Sequence, residues 1–463
     1  MSFLLTITIP FAGAIIAALA GNRHRQIVSS VALGLTFVSA VLTVPAVIRD
    51  GEIAVFYPVY EWFNLSFSVD GLAVFMAVVS SLVAFVISVY SSEYMARYPN
   101  KGSFYPWVVL FVGSMMGLIY SANLMLIYVF WEITAVSSWR LIGFYRGEED
   151  VKAADKAFLV TFTGASALLA GIVLVFVNYG TLELSALSGT YLPNLIGFLF
   201  LAGIISKSAQ LPLQSWLPDA GVAPSPVTAL LHAAVLVKIG VYVFARLFLR
   251  TFIPGEEFLA SVMTISVITI LVAAGSALVS TNMKRILAYS TISQLGYIML
   301  ALSLNTDIAL KVAFVYILAH SLAKAGLFLC AGIVEHETGT KDITLLGGLV
   351  KTMPRTGLAC MLCALSIIGI PPFLGFWPKL MVIILTVQAG YTLAGVLAVA
   401  GALFTLFYLF RLFNEVFLGK AGTSAAEGKA PVMVYSVLFL GVVSLILGLL
   451  PGLPFNFLNQ VVK

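Results

Sequence analysis

The stretch 192-LPNLIGFLFLAGIISKSAQLPLQSWLPDAG-221 opens as a membrane helix and then breaks two rules of one. After a run of apolar and small residues it carries Lys207, and five residues later Pro212 ends any regular helix, with Pro218 behind it. Backbone groups freed by a break have no water to turn to in hydrocarbon. They are tolerated only inside protein or beside a hydrated cavity. A break next to a buried charge is a feature of transporters.

The rest of the chain supplies the membrane. Of 463 residues, 61% are hydrophobic and only 10% charged, with a mean hydropathy of +1.06. A soluble core is not that apolar on average, so the chain is read as a polytopic membrane protein. There is no period-2 alternation, which excludes a membrane β-barrel. A helix needs about 20 apolar residues to cross a bilayer. On that basis fourteen helices are predicted, at 3–20, 27–48, 71–94, 104–120, 123–144, 157–178, 192–218, 226–248, 257–280, 285–304, 307–334, 356–388, 391–415 and 431–450. The seventh and twelfth are broken, and the connecting loops read as short and polar. The N-terminal apolar run has no basic segment ahead of it and its charges follow it, so it reads as a retained first helix rather than a signal peptide.

Basic residues test this layout. With the N-terminus outside, the odd-numbered loops face the cytoplasm and hold fifteen Lys and Arg, including Arg23, Arg97, Lys156, Lys284, Arg285, Lys341 and Lys429. The outer side holds five: Arg49, Arg246, Arg250, Lys311 and Lys463. That asymmetry follows the positive-inside rule, and both termini are expected on the outer side of the plasma (inner) membrane. Topology then accounts for the net charge of +5 without a nucleic-acid partner.

Five basic residues remain within helices, Arg140, Lys207, Lys238, Lys324 and Lys379, together with one acid, Glu132. Each such charge costs about 3 kcal/mol or more at a helix centre, so a functional role is the default reading. Lys238 lies twelve residues into the eighth helix, with His232 six residues before it. His320 and Lys324 are four apart and share one helical face, with Tyr316 on the same stripe. Lys379 stands beside a second break, 370-IPPFLGFWP-378, whose layout parallels 211-LPLQSWLP-218. Two such breaks, five helices apart, divide the chain into helices one to three (1–100), two five-helix halves (101–250 and 251–418) and a last helix (419–463). An odd number of spans per half makes the halves inverted relative to each other. Burial strips hydration from an ammonium and disfavours its charged form, whereas a nearby carboxylate restores it. A row of lysines, histidines and water can therefore hold or pass protons. Arginine hardly deprotonates, so Arg140, one turn from the cytoplasmic end, is read as snorkelling or structurally paired. Cys330, Cys360 and Cys363 lie in apolar runs and read as small buried hydrophobes. No phosphate loop, haem motif or metal-ligand set is found. No catalytic residue, cofactor or metal is expected in this chain.

Together these motifs resemble the antiporter-like subunits shared by respiratory complex I, Mrp-type sodium/proton antiporters and energy-converting membrane hydrogenases. The resemblance covers nearly the whole chain. It rests on Trp131-Glu132, Lys207 before LPLQSWLPDA, APSPVTALLHAA (223–234), KRILAYSTISQLGY (284–297), AHSLAKAGLFL (319–329) and GIPPFLGFWPK (369–379). It implies that Glu132 pairs with Lys207, that Lys238 and Lys324 are central proton carriers with His232 and His320 nearby, and that Lys379 is the terminal lysine. Lys379 and HAAVLVKIGVYVFAR (232–246) favour the Mrp large-subunit type. Two features depart from the pattern. The sequence stops before any counterpart of the long lateral helix or large-subunit extension, and Arg140 stands where an apolar residue is the rule.

The function so implied is proton translocation within a larger membrane assembly of the hydrogenase, sulfane-sulfur reductase or Mrp-like kind. The expected partners are other membrane subunits, including other antiporter-like ones, and a peripheral iron–sulfur arm. Two other classes compete. A self-sufficient sodium or solute transporter needs a substrate site within the single chain. A membrane enzyme subunit with a quinone site needs a ligand set that the sequence does not display. Copurification of partner subunits with iron–sulfur clusters separates the first reading from the others.

Overall fold

All fourteen spans are helical in the computed structural model, which describes residues 2–22, 24–60, 64–420, 427–428 and 430–462. The basic residues Arg23, Lys429 and Lys463 of the charge count lie outside the described residues. The first six spans are single helices: α1 (Leu5–Leu19), α2 (Arg25–Asp50), α3 (Gly71–Tyr94), α4 (Lys101–Tyr120), α5 (Leu124–Ile142) and α6 (Glu148–Tyr179). After the short α7 (Leu184–Leu187), the seventh span is α8 (Asn194–Lys207), an irregular segment and the one-turn α9 (Trp216–Asp219). The eighth is α10 (Ser225–Ala229), a π-helical turn at Leu230–Ala234 and α11 (Leu236–Arg250). The ninth to eleventh are α12 (Glu256–Val279), α13 (Met283–Ser303) and α14 (Asp307–Thr338). The twelfth is split into α15 (Pro354–Ile368) and α16 (Phe376–Gln388), and α17 (Thr392–Phe413) and α18 (Pro431–Leu449) complete the set.

Hydrocarbon offers no hydrophobic drive between helices, so packing and internal hydrogen bonds decide which spans stand in the middle. In the eighth and eleventh spans the whole apolar window is buried, and in α13 94% of it, against 39% in α2 and α6 and 33% in α17. The axis of the bundle is therefore made by the spans that carry His232, Lys238, His320 and Lys324. The rim helices turn side chains such as Leu42, Val177 and Leu393 outward.

Three features differ from the sequence reading. The loop between the second and third spans is a β-hairpin, β1 (Ile53–Pro58) against β2 (Asn64–Val69), in register from Ile53↔Val69 to Pro58↔Asn64. Its NLSFSV alternation is legible, but a search for apolar runs passes over it. Glu183 anchors it, accepting from Asn64 Nδ2 at 3.1 Å and Asn123 Nδ2 at 2.7 Å. A further helix, α19 (Gly452–Val461), follows the last span and packs on α3 and α14 at the same end of the bundle. The eighth span, expected to be one unbroken helix, is interrupted at 230–235. No glycine or proline marks the site, because a π turn needs neither. A last, two-residue parallel pair joins β3 (Thr190–Tyr191) to β4 (Phe252–Ile253).

Candidate functional site

The first break turns a charge sideways. α8 ends at Lys207, and Ala209 takes a positive φ of 48°. The freed groups find partners inside the protein. The Gln210 N–H donates to Ile205 O at 2.9 Å, its Nε2 donates to Ser208 O at 2.9 Å, and the Leu211 N–H donates to Thr269 Oγ1 at 3.2 Å. Fully buried Lys207 Nζ donates to Trp131 O and Thr134 Oγ1 of α5, both at 3.3 Å, and lies 5.6 Å from the Trp131 ring centre. Glu132 is next along α5, half-buried, with Oε1 enclosed and without a hydrogen-bond partner among the described residues. The Glu132–Lys207 ion pair implied by the resemblance is thus not closed. The ammonium is held by the two residues that flank the pair's acid on the near side of α5, within range of its charge but not in contact with it.

The centre is assembled by the eighth and eleventh spans. The π turn carries His232, and Val235, at φ −125° and ψ −80°, restarts the helix three residues before Lys238. π turns are frequent at functional sites because they re-aim the side chains on either side. α11 is pressed against the first break: a Cβ on Gly240 would sit 2.1 Å from Ser208 Oγ and 2.5 Å from Ile204 O, so only glycine fits. Lys238 Nζ is in direct hydrogen-bond contact with His320 Nδ1 of α14. One turn further along α14, Lys324 Nζ donates to Leu287 O of α13 at 3.2 Å. His320, on the same helical face as Lys324, is thus the group that meets Lys238. His320 Nε2 has no partner among the described residues. His232 is not in this chain of contacts. Its ring stacks on Phe328 at 4.3 Å, and neither ring nitrogen has a partner among the described residues.

The second break closes on its own lysine. α15 ends at Gly369, whose φ of +86° suits the residue just past a helix end. Lys379, one turn into α16, reaches back to Ile367 O at 2.6 Å and Ile368 O at 3.1 Å, and lies 5.4 Å from the Tyr297 ring centre. An ammonium on the last carbonyls of a helix is favoured by the helix dipole as well as by the bonds.

Between Lys324 and Lys379 runs a set of polar side chains, of which the sequence reading placed Tyr316 on the His320–Lys324 stripe, quoted Ser290 and Gln294 within a motif without a role, and passed over Thr405 and Tyr408. Tyr316 Oη donates to Gln294 Oε1 at 2.8 Å, Gln294 Nε2 donates to Thr405 Oγ1 at 3.4 Å, and Ser290 Oγ and Tyr408 Oη share a hydrogen at 2.6 Å. The signal was available: STISQLGY is too polar for a span whose surroundings are apolar. At the end of the bundle away from the hairpin, buried Lys284 pairs with Glu335 at 2.6 Å and donates to Ala223 O at 3.1 Å. Nearby, Asp219 binds Lys156 at 2.7 Å and Arg285 at 3.1 Å. Arg140 is half-buried two turns beyond Glu132 and lines a small recess with Ser103, Trp107 and Arg146. Cys330, Cys360 and Cys363 are buried together between α14 and α15, with Cys330 Sγ 3.7 Å from Thr356 O.

A family model described as NADH:quinone oxidoreductase/Mrp antiporter, transmembrane, matches residues 121–405. The chain belongs to this antiporter family. The matched region contains Glu132, Lys207, His232, Lys238, His320, Lys324 and Lys379. A second model, for the N-terminus of chain 5 of NADH-ubiquinone oxidoreductase (complex I), matches residues 61–105. Among curated relatives, a Na(+)/H(+) antiporter subunit of Staphylococcus saprophyticus is 34% identical over 425 residues, covering 84% of this chain and 53% of the relative. A Na(+)/H(+) antiporter subunit of Alkalihalophilus pseudofirmus is 34% identical over 430 residues, with the same coverage. The chain spans about half the length of the curated relatives it matches. A chain of the Mrp complex from a Dietzia species superposes with a TM-score of 0.89 at 25% identity, over 99% of this chain and 96% of the other. The same fold is found in the membrane-bound sulfane sulfur reductase, an archaeal respiratory membrane complex, with a TM-score of 0.90 at 24% identity and the same coverage.

Proposed function

We propose that this chain is the proton-carrying, antiporter-like subunit of a multisubunit ion-pumping membrane complex. One observation carries the reading: at the buried centre of the bundle Lys238 meets His320, and Lys324 follows one turn along the same face of α14, with Lys207 and Lys379 buried at the two helix breaks. Buried ammonium groups that near one another repel, so charging one favours deprotonation of the next, and His320 is placed to take the proton between them. Glu132, half-buried beside Lys207, biases the first lysine from outside the row. His232 stacks apart from the row, close enough for its protonation to oppose charge on Lys238 and Lys324.

In this reading 101–250 and 251–418 act as the two halves, each with a lysine beside its break. The hairpin end faces the outer side of the plasma membrane, and the end with Lys284, Glu335 and Asp219 faces the cytoplasm. The chain works with other antiporter-like membrane subunits, and a peripheral iron–sulfur arm supplies the driving reaction. Both matched structures are of membrane complexes, which supports the first half of that statement.

The test is Lys238→Arg beside Lys238→Ala in the assembled complex reconstituted into vesicles. Arginine keeps the charge and most of the size but does not give up its proton. Both variants should lose transport to a similar degree. Near-normal pumping by Lys238→Arg would mean that the row needs only a fixed charge, and the proton-carrier reading would fall.

A further inference from the structure

From Lys238 towards the hairpin, Tyr242, Arg246 and Arg250 follow at four-residue steps and stack on one side of α11. Tyr242 Oη donates to Ile119 O at 2.7 Å and accepts from Arg246 Nη2 at 2.7 Å. Arg246 holds the Asp70 carboxylate with two nitrogens, at 2.6 and 2.8 Å. This pair is the inner wall of a cavity of about 370 Å³ that opens at the hairpin face and is also lined by Glu52, Ser66, Glu183 and Arg250. Ser66 Oγ is enclosed there without a partner among the described residues. A water occupies roughly 30 Å³, so the cavity has room for about ten. A polar stripe therefore runs from the central lysine to a space large enough to hold several waters, and one ion pair stands across it.

Asp70 also caps α3, accepting from the Ala73 N–H at 2.9 Å. Burial works to raise its carboxyl, but Arg246's charge and bonds, the Ala73 N–H and Arg250 outweigh that, so it rests below the ordinary carboxylate value. The charged groups around it are Arg246 and Arg250 from α11, Glu52 from the turn before β1 and Glu183 from the segment after α6. Arg250 itself pairs with Asp307 at the start of α14 at 3.7 Å.

We infer that Asp70 is the group through which the lysine row exchanges protons with the hairpin face, with Tyr242 as the relay and Arg246 as the clamp that keeps the route shut. The inference rests on the proton-carrier reading above. In the outward step, an N–H bond of the Lys238 ammonium breaks and its proton passes to the oxygen of Tyr242, one turn along α11. Tyr242 turns from Ile119, accepts a proton at oxygen as its own leaves, and the Asp70 carboxylate gains an O–H bond. Lys238 and Asp70 both end neutral. A neutral carboxylic acid no longer pins the guanidinium, so the clamp opens towards the cavity. Release of the proton to cavity water restores the carboxylate and recloses it. The inward step is the reverse.

The experiment uses the assembled complex in vesicles, with Lys238→Ala as reference. Asn is as good a helix cap as Asp, so Asp70→Asn keeps the start of α3 while removing the acceptor. Asp70→Asn should slow transport about a hundredfold, the scale of a lost proton-transfer group, and Tyr242→Phe should slow it about tenfold. If Asp70 served only to neutralise Arg246, removing both charges in Asp70→Asn/Arg246→Gln would restore transport, since a lone buried charge is what does the damage. The double variant should instead stay as slow as Asp70→Asn. Recovery in the double variant, or normal transport by Asp70→Asn where Lys238→Ala is inactive, would overturn this inference and leave the proton-carrier reading standing. Normal transport by Lys238→Ala would overturn both.

Discussion

The two broken spans look alike in sequence and are wired in opposite ways. At the first break, Lys207 precedes the irregular segment and bonds across to another helix, α5, while Trp216 Nε1 ties back to Ser206 O of its own span at 2.9 Å. At the second, Lys379 follows the irregular segment and bonds back to Ile367 O and Ile368 O of its own span, while Trp377 Nε1 reaches across to Gly448 O of α18 at 2.9 Å. In one the tryptophan holds the break together and the lysine is turned towards a neighbour. In the other the lysine holds the break and the tryptophan does the reaching. A lysine beside a helix break can thus be a switch or a cap, and only its partners distinguish them.

Removing each lysine puts this contrast to its hardest test. Lys379→Ala and Lys207→Ala should each lower transport in assembled vesicles by about a hundredfold, as expected for a proton-transfer group. Their stabilities should differ. Lys379→Ala strips one buried and one half-buried carbonyl of charge-assisted bonds worth about 1.5–3 kcal/mol each. Lys207→Ala removes bonds of 3.3 Å to a hydroxyl and to Trp131 O, which already accepts from Thr134 Oγ1 at 2.6 Å, so the cost should be on the order of 1 kcal/mol. Thermal melts of the purified complex that fall equally would show that both lysines are caps.

Glu132→Gln probes what sets the first lysine apart. Glu132 stands next to the residues that hold Lys207, whereas among the described residues no carboxylate reaches Lys379. Glutamine has the shape of glutamate and removes only its charge. Transport should drop by about tenfold, less than the hundredfold expected of a lost proton-transfer group, with assembly and melting unchanged because the enclosed Oε1 makes no bond to lose. Wild-type pumping in an assembled Glu132→Gln complex would end the idea that this acid tunes the first lysine.

How much of this was legible follows from what each feature leaves in the chain. Prolines and glycines announce both breaks, and charge in an apolar run announces the lysines, because hydrocarbon makes both expensive. The π turn before Lys238 leaves no such mark: HAAVLVK is an ordinary helical string, and the turn sits packed against α3 and α14, which come from distant parts of the chain. The wiring at each break was illegible for a related reason. A side chain's partner comes from a distant span, and spacing along one helix says nothing of which neighbour it meets. Hence the Glu132–Lys207 contact was expected by resemblance and found open, and the Lys238–His320 contact was not foreseen. The polar face of α13 was readable from Ser290, Gln294 and Tyr297, but polarity without charge did not draw attention.

The tryptophans give a smaller test. Trp216→Phe leaves Ser206 O unpaired in a fully buried place, for about 1–3 kcal/mol. Trp377 is half-buried, less enclosed than Trp216, so Trp377→Phe should cost less, about 0.5–1 kcal/mol. Chemical denaturation of the two variants in detergent should rank them in that order. The reverse ranking would mean that the reach to α18, and not the closure of the first break, is the stronger staple.

The smallest effect is expected at Arg140, and it tests whether any deep charge matters or only those wired into the axis. Arg140 lies on α5 two turns past Glu132, in the last turn of the helix, where a cation is favoured by the helix dipole by roughly 0.3–1 kcal/mol. It is half-buried and looks into a recess with Arg146, away from Lys207. Guanidinium holds its proton throughout, so it has no part in a relay. Arg140→Ala should leave transport within about twofold of the wild type, since a surface charge of this kind is worth little, and should lower stability only slightly. If Arg140→Ala instead matches Lys379→Ala in a vesicle assay, charge at depth is sufficient for function wherever it sits. Being wired into the axis, as Lys207 and Lys379 are and Arg140 is not, would then have no bearing on transport.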